Sequence, residues 1–497
     1  MEIGLLRGSY RSATCHSSGE PGGGRRASRR GPSTTLRRRQ GGVLTAQKRP
    51  APITGATAGP RIDPDRPPDP TVIAAEREPN RFRRLLLVLG PGLVTGASDD
   101  DPSGVGTYAQ AGARFGYGFL WLTIVMLPMM ATVQYIAAKL ALVSGRGLGS
   151  VLRERYPRWV LYPVLLSLVV ANTLNAGADI GAIAASVNLL LPVPTVLLVA
   201  PVGVGIVLLQ ILGSYRLITR VFKWIALALL AYVAGAFLTH PDVIGVLRGS
   251  LVPTIRFDSG YLALLVALLG TTISPYLFFW QASQEVDDQI AMGRRRLWQR
   301  QGASEKELRH ARIDTVTGMA FSEVVAFFIV VTFGSTLYVS GDHNITSATD
   351  AARALEPLAG HLAGALLAAG LIGAGVLAVP ILTGSAAYGL SEAFRWRAGL
   401  DEPPSRAPRF YAVIVVATLI AVAINFSGVN PIDALVFSAL INGVLAPPML
   451  VLLMLVTNDR RVMGVRRNGR ALNAAGWATT IAMSLAALIL LVTLLLG

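Results

Sequence analysis

Between Leu85 and Leu496 the chain alternates long apolar runs with short polar breaks, many of them bearing arginine. The runs predict eleven spanning helices, at about residues 85–113, 117–141, 160–190, 194–212, 219–239, 261–290, 311–339, 361–392, 410–425, 431–456 and 472–496. Each has about the length a helix needs to cross ~30 Å of hydrocarbon. The pattern is that of an all-α polytopic membrane protein. Residues 1–80 fall outside it. They are rich in Arg, Gly, Pro and Ser and poor in aromatic residues, so they bury too little apolar area to offset the entropy of ordering. A disordered, basic, Pro-rich cytoplasmic tail is expected there, with contact to anionic lipid as the alternative role. The segment has no uninterrupted apolar core of the kind a secretory signal carries. The membrane domain is expected to run from 81 to 497.

Two spans carry a polar interruption at mid-depth. In span 1 it is Asp99-Asp100-Asp101-Pro102-Ser103-Gly104. A charge at bilayer depth costs at least about 2.5–3.5 kcal/mol, so three carboxylates are tolerable only beside water, a cation or protein donors. Pro102 removes a backbone donor and Gly104 loosens the chain, which predicts a broken helix. The competing reading, a solvated turn between two short surface helices, is disfavoured by the apolar sequence on both sides. In span 6 the interruption is Gly270-Thr271-Thr272-Ile273-Ser274-Pro275-Tyr276. Taken alone it reads as a proline kink whose hydroxyls bond back to the preceding turn. The pairing changes this. Interruptions five spans apart, at matching places in two halves, mark the substrate site of a transporter built from inverted repeats. Repeat one would be about 85–239, repeat two about 261–456, and 472–496 an added helix. Pro102 and Pro275 would be the hinges.

Composition narrows the function classes. The 497 residues are 52% hydrophobic and only 15% charged, against about a quarter charged in soluble domains. The net charge of +16 suggests nucleic acid, but the charge sits in the tail and in alternate loops, so no nucleic-acid partner is expected. The loops after spans 2, 4, 6, 8 and 10 are basic, as in Arg146, Arg153, Arg294, Arg300, Arg395, Arg409, Arg460 and Arg467. The opposite loops carry only Arg114, Arg248, Arg256 and Arg353. The positive-inside rule then places the N-terminus in the cytoplasm. The single cysteine, Cys15, and five histidines outside mid-span positions exclude a disulfide framework and make a zinc or haem cluster unexpected. Nothing resembles a nucleophile–base pair or a phosphate loop, so neither an enzyme nor an ATP-driven pump is read.

The motifs resemble a family. Asp101-Pro102-Ser103-Gly104, Gln110-Ala111-Gly112-Ala113 and Phe115-Gly116-Tyr117-Gly118 resemble the first-helix signature of the NRAMP divalent-metal transporters, whose usual form is Asp-Pro-Gly-Asn. Gly270-Thr271-Thr272-Ile273-Ser274-Pro275 is similar to their sixth-helix Gly-Ala-Thr-Val-Met-Pro. Thr457-Asn458-Asp459-Arg460-Arg461-Val462-Met463-Gly464 is similar to the loop after their tenth helix. The resemblance spans about 85–497. It implies a LeuT-like 5+5 inverted repeat with discontinuous helices 1 and 6, and uptake of a divalent metal, often coupled to protons.

The resemblance also implies the ligands. Asp101 matches the family aspartate and Thr271 the carbonyl donor, while Gly104 replaces the asparagine and Ser274 the methionine. A thioether selects softer transition metals, and oxygen donors suit hard cations. Asp99 and Asp100 add negative charge, and the lost ligands widen the site. A wide, acidic, oxygen-lined site suits Mg²⁺, which keeps several of its waters. These departures resemble the NRAMP-related magnesium transporter branch, with Mn²⁺ as the rival cargo. Tyr276 stands where the family has a histidine, so potential-driven uptake without proton coupling is expected.

Secondary candidates along the path are Thr272, Asp179, Asn175, Asn442 and Tyr276. Asn172 and Asp179 are equally readable as interhelical hydrogen-bond partners. Asn442 lies near the family's glutamine position, which falls at Ala439. Glu323 is either a vestibule residue or an interhelical partner. The Gly370–Gly375 stretch reads as close helix contact rather than a phosphate loop. The expected protein is a monomeric plasma-membrane carrier with no cofactor besides the transported Mg²⁺ or Mn²⁺. The competing classes are a Mn²⁺/Fe²⁺ proton symporter of the main NRAMP type, a LeuT-like carrier of an organic solute and a cation channel. Three aspartates would repel the carboxylate of an amino acid. Broken helices in both halves argue against a channel.

Overall fold

The structure is a computed structural model that describes residues 60–212, 233, 236–341, 343, 345, 348–353 and 363–496. Every regular element among them is helical. The principal helices are α1 (Pro70–Arg77), α2 (Arg81–Val88), α3 (Pro91–Asp99), α4 (Pro102–Phe115), α5 (Leu120–Ser144), α6 (Leu148–Arg155), α7 (Arg158–Leu190) and α8 (Thr195–Leu212). They continue with α9 (Val243–Leu251), α10 (Ser259–Thr272), α11 (Pro275–Ala291), α12 (Glu305–Ser335), α13 (Ala363–Phe394), α14 (Pro408–Ile424), α15 (Pro431–Asn458) and α16 (Arg470–Leu496). Among the described residues nine segments are long and apolar enough to cross a membrane, with α10 and α11 counting as one. The expected first span is present as α3 and α4, two halves each too short to count. The expected fifth span, 219–239, lies almost wholly outside the described residues.

Both mid-span breaks form where proline forces them. α3 stops at Asp99, Asp100 and Asp101 leave helical geometry, and α4 restarts with Pro102 at its first position. α10 stops at Thr272, Ile273 and Ser274 leave the helix, and α11 restarts with Pro275. A first-turn proline costs nothing, because its missing N–H would have been unpaired there anyway.

The halves pack as a repeat exchanged onto itself. α12 lies against α3 and α4, and its counterpart α5 lies against α11. α3 meets α11, α4 meets α10, and α7 packs along α13, its equivalent in the other half. α16 lies outside this exchange, against α15, α10 and α5. This is the LeuT-like 5+5 architecture. Small residues bring the broken helices into backbone contact. A Cβ on Gly96 would stand 2.2 Å from the Gly318 carbonyl, and one on Gly270 would stand 2.2 Å from that of Ala439. α3 therefore rides directly on α12, and α10 on α15.

One boundary differs from expectation. The tail was expected to be solvated through residue 80, yet residues 60–80 are folded. Asp69 caps α1 through the amides of Thr71 and Val72, and Asn80 caps α2 through those of Phe82 and Arg83. Ala75 is buried. Composition missed this because the contacts are polar and reach far along the chain, to residues near 300. Residues 1–59 lie outside the described residues.

The α3–α12 contact makes a prediction. Gly318→Val places a side chain where the Gly92 backbone already lies, so it should destabilise the fold by at least about 2 kcal/mol through overpacking. Thermal unfolding in detergent should show a clear drop in midpoint, and an unchanged midpoint would contradict the packing.

Candidate cation site

Asp101 stands at the N-terminus of α4 and satisfies it. Its Oδ1 accepts from the Gly104 amide at 2.6 Å and from the Ser103 hydroxyl at 2.9 Å. Its Oδ2 accepts from Asn175 Nδ2 of α7 at 2.9 Å and lies 3.3 Å from the Tyr276 hydroxyl of α11. That same hydroxyl lies 3.1 Å from the Ser98 carbonyl at the end of α3. Asp179 of α7 adds a second carboxylate to the α4 terminus, accepting from the Ser103 amide at 3.2 Å. Both sit where the helix end is positive. Asn175 is itself held by the Ser438 hydroxyl of α15 at 2.7 Å. One carboxylate thus gathers three helices, α4, α7 and α11, at the break.

Asp99 and Asp100 face elsewhere. The Ser322 hydroxyl of α12 lies 2.6 Å from Asp99 Oδ2 and 3.2 Å from Asp100 Oδ1. Asp99 Oδ1, Asp100 Oδ2, Asp179 Oδ2 and both oxygens of Glu323 are buried without a hydrogen-bond partner. Asp99 ends α3, and Asp100 and Asp101 lie in the break beyond it, where the chain turns the Asp101 carboxylate away from the other two. The acids therefore lie on two faces. Asp101 and Asp179 lie toward α7, and Asp99, Asp100 and Glu323 toward α12. Asp101 is 1% exposed and the other four are comparably buried. Among the described residues no Lys or Arg forms an ion pair with any of the five.

The second break supplies neutral oxygens. Ser274 Oγ lies 2.5 Å from the Gly270 carbonyl and 2.7 Å from that of Thr271, so its one proton serves the preceding turn. The hydroxyl of Thr272 donates to the Leu268 carbonyl at 2.9 Å and meets the Tyr108 hydroxyl. Both hydroxyls thus bond back as in a simple proline kink, and what remains for a ligand is lone pairs. Thr271 reaches across to α4, its hydroxyl 3.4 Å from that of Ser103. A Cβ on Gly104 would stand 3.3 Å from both Thr271 Oγ1 and Asp101 Oδ1. The same Cβ would stand 2.9 Å from the Asp99 carbonyl, so Gly104 allows close approach of the chain, and its amide is already spent on Asp101. Asn442 is buried with neither side-chain atom partnered, while Asn172 donates to the Leu382 carbonyl of α13 at 2.9 Å and so ties two helices. Among the described residues no three His, Cys, Asp or Glu side chains converge closely enough to hold a metal by themselves. The oxygens that the arrangement offers a cation are those of the Asp101 carboxylate and of the neighbouring hydroxyls and carbonyls.

Sequence reasoning missed several polar partners. Ser103 follows the hinge proline, and Ser322 precedes the flagged Glu323. Tyr108 and Ser438 carry no local pattern that marks them. The largest omission is Asp314 of α12, whose carboxylate accepts from the amides of Gly90, Gly92 and Leu93 at 2.8, 2.7 and 3.0 Å. It caps α3 from a helix more than two hundred residues away, which no sequence window shows. Thr95 of α3 and Gln281 of α11 add a 2.6 Å bond between the same halves.

A helical bundle with two facing mid-span breaks, one lined by carboxylates and the other by hydroxyls, is the architecture of a LeuT-type secondary transporter. The chain belongs to the Nramp family: the model for natural resistance-associated macrophage protein-like sequences matches residues 92–493. A divalent metal cation transporter MntH from Deinococcus radiodurans is 27% identical over 414 residues, covering 81% of this chain and 89% of the relative. The MntH of Bacillus subtilis is 26% identical over 405 residues, covering 80% and 89%. A manganese transporter from Eremococcus coleocola has the same fold, with TM-score 0.67, 18% identity and coverage of 83% and 87%. MhsT, solved with L-phenylalanine, matches at TM-score 0.52 and 12% identity, covering 81% and 98%.

Asp314 gives a direct test of how α3 is held. Asp314→Ala leaves three backbone donors, that of Gly92 buried, without their acceptor and should cost about 2 kcal/mol. Detergent-solubilised protein should unfold at a clearly lower temperature, and no change would mean that the cap contributes nothing.

Proposed function

We propose that the protein is a secondary transporter that carries divalent metal cations into the cell across the plasma membrane, with the cation bound at the Asp101 break. The observation that carries this reading is the placement of Asp101. It is buried where two half-helices end, bonded to Ser103, whose hydroxyl lies 3.4 Å from that of Thr271, and it sits among carboxylates that form no ion pair with a base among the described residues. A cation is the ligand that such a pocket stabilises most, since an unpaired buried charge is costly. Asp101 is the anionic ligand, directly or through water. The Thr271 carbonyl and the Ser274 hydroxyl complete the shell with water, while Asp99, Asp100 and Asp179 hold cations near it. Thr272, Asn175, Asn442 and Tyr276 line or position the path, and Pro102 and Pro275 hinge it. The arginine-rich loops orient the N-terminus toward the cytoplasm, and the bundle is taken to work as a monomer. The carboxylates would repel an amino-acid carboxylate, which argues against an organic solute carrier.

Two cations fit the donor set. The names of the MntH and manganese-transporter relatives favour Mn²⁺. The absence of sulfur or imidazole from the donor set favours a hard, partly hydrated ion, and so admits Mg²⁺ as a second cargo. In proteoliposomes, Asp101→Ala should abolish uptake of both. A tenfold excess of Mg²⁺ should at least halve Mn²⁺ uptake, because no soft donor discriminates between them, and Ser274→Met should weaken that competition about tenfold. Undiminished flux in Asp101→Ala would overturn the site, and Mn²⁺ uptake indifferent to Mg²⁺ would leave Mn²⁺ as the cargo.

Coupling divides along a separate line. Tyr276 in place of an imidazole favours uptake driven by the membrane potential alone. The unpartnered carboxylate of Glu323 favours the alternative of proton symport. Potential-driven uptake predicts no acidification inside proteoliposomes as metal enters, and stoichiometric acidification would replace it with symport.

A further inference from the structure

The residues that precede the family match make a contact that cation binding does not use. Residues 60–69 cross the start of α12 and place Arg66 in a buried ionic cluster. Arg66 pairs with Glu307, and the Glu307 carboxylate also lies 2.8 Å from Arg294. Their side chains are 5%, 6% and 2% exposed, respectively. Arg66 donates to the Gly302 carbonyl, and Arg294 Nε donates to the Pro67 carbonyl at 3.0 Å. Gly302 has φ +80°, and a Cβ there would stand 2.7 Å from the Ile62 amide nitrogen, so the segment lies flat on the loop. Farther along, α1 buries Ala75, and Glu76 pairs with Lys306 at 2.5 Å. Two guanidinium groups on one buried carboxylate are costly to assemble, and removing one partner is strongly destabilising. A tail serving only as a solvated leader needs no such cluster.

The connections of this segment suggest its role. Its downstream end leads through α1 and α2 to Gly90 and then to α3, the half-helix on the N-terminal side of the first break. Its ionic anchor is the loop 292–304, which leaves α11, the corresponding half-helix of the second break. That loop is in turn fixed to the end of α5. The Gly302 amide donates to the Val143 carbonyl at 2.8 Å, and Arg300 Nε donates to that of Gly145 at 3.2 Å. α3 is closed against α11 and α12 here, with Thr95, Gly96, Ala97 and Ser98 buried. Opening the site toward the N-terminal side requires α3 to move away from them. A segment anchored at 294–307 and continuous with α3 resists that movement.

We infer that residues 60–77 form an intramolecular latch that holds the N-terminal-side gate shut, with the Arg66–Glu307–Arg294 cluster as its clasp. The inference rests on the transporter reading above. Release of the clasp shifts the population toward the state open on the N-terminal side, and the opposite opening becomes rarer by the same conservation of population.

The test uses the full-length protein in proteoliposomes, with Cys15→Ser removing the one native thiol. Ala97→Cys on α3 and Ala109→Cys on α4 report the two sides, each buried in this structure. A membrane-impermeant maleimide is applied to one face at a time. Arg66→Ala should raise labelling at position 97 from the N-terminal face about tenfold and lower labelling at position 109 from the other face. Arg66→Lys keeps a charge on Glu307 but loses the fork, and should give an intermediate shift in the same direction. It carries the test if Arg66→Ala does not fold. No change at either position overturns the latch. A rise at both overturns it too, because that is general loosening. Labelling needs no flux, so the two readings fail separately. A reciprocal shift in a protein that moves no metal refutes transport, and normal Mn²⁺ flux without a shift refutes the latch alone.

Discussion

A helix that ends inside hydrocarbon leaves backbone donors and acceptors that no water reaches, and each unpaired group costs several kcal/mol. Asp101 resolves that problem at the first break. Its carboxylate accepts from the α4 terminus and at the same time from α7, with Tyr276 of α11 beside it. Asp314 does the same for the start of α3. With both ends satisfied, α3 and α4 persist as two rigid rods. The glycine contacts of α3 on α12 and of α10 on α15 then set the rods in place. The break is therefore a built feature on which the helix packing converges.

The same carboxylate lies in an acidic neighbourhood. Asp101 engages structural donors through both oxygens, yet it lies among four further buried acids with no base among them. Their unpartnered oxygens make a surrounding that favours positive charge. The acids do not form one cluster. Asp99 and Asp100 lie at Ser322 of α12, and Asp101 lies with Asp179 on the α7 side. A cation at Asp101 therefore meets one or two carboxylates and several neutral oxygens, a shell suited to an ion that retains water. Ser274 reinforces this. Its hydroxyl is tied to Gly270 and Thr271, so it presents oxygen, where a thioether would have presented a soft donor.

Much of this was legible in the residue pattern because the governing rules are local. Span length, the proline after a polar run and the recurrence of that motif five spans later mark the bundle and its two breaks, while Asp101 and Thr271 as ligands come from the family resemblance. The roles of individual neighbours were not legible. Asn175 and Asn172 sit one helical turn apart on α7, yet one grips Asp101 and the other braces α13. Asp314 caps a helix more than two hundred residues away. Arg66 lies in a stretch whose composition reads as tail, and nothing local marks Glu307 as its partner. Only tertiary placement joins them. The residue pattern leaves open whether Asp99 and Asp100 join a shell at Asp101 or only add charge nearby, and only tertiary placement sets them beside Ser322.

The central claim is that Asp101, between the two breaks, is where a divalent cation sits. Anomalous diffraction from crystals of the protein grown with Mn²⁺ tests it most directly. The account expects one strong peak within coordination distance of the Asp101 carboxylate and the Thr271 carbonyl, lost in Asp101→Ala. A peak seated instead between Asp99, Asp100 and Glu323, or one that survives the substitution, would contradict it.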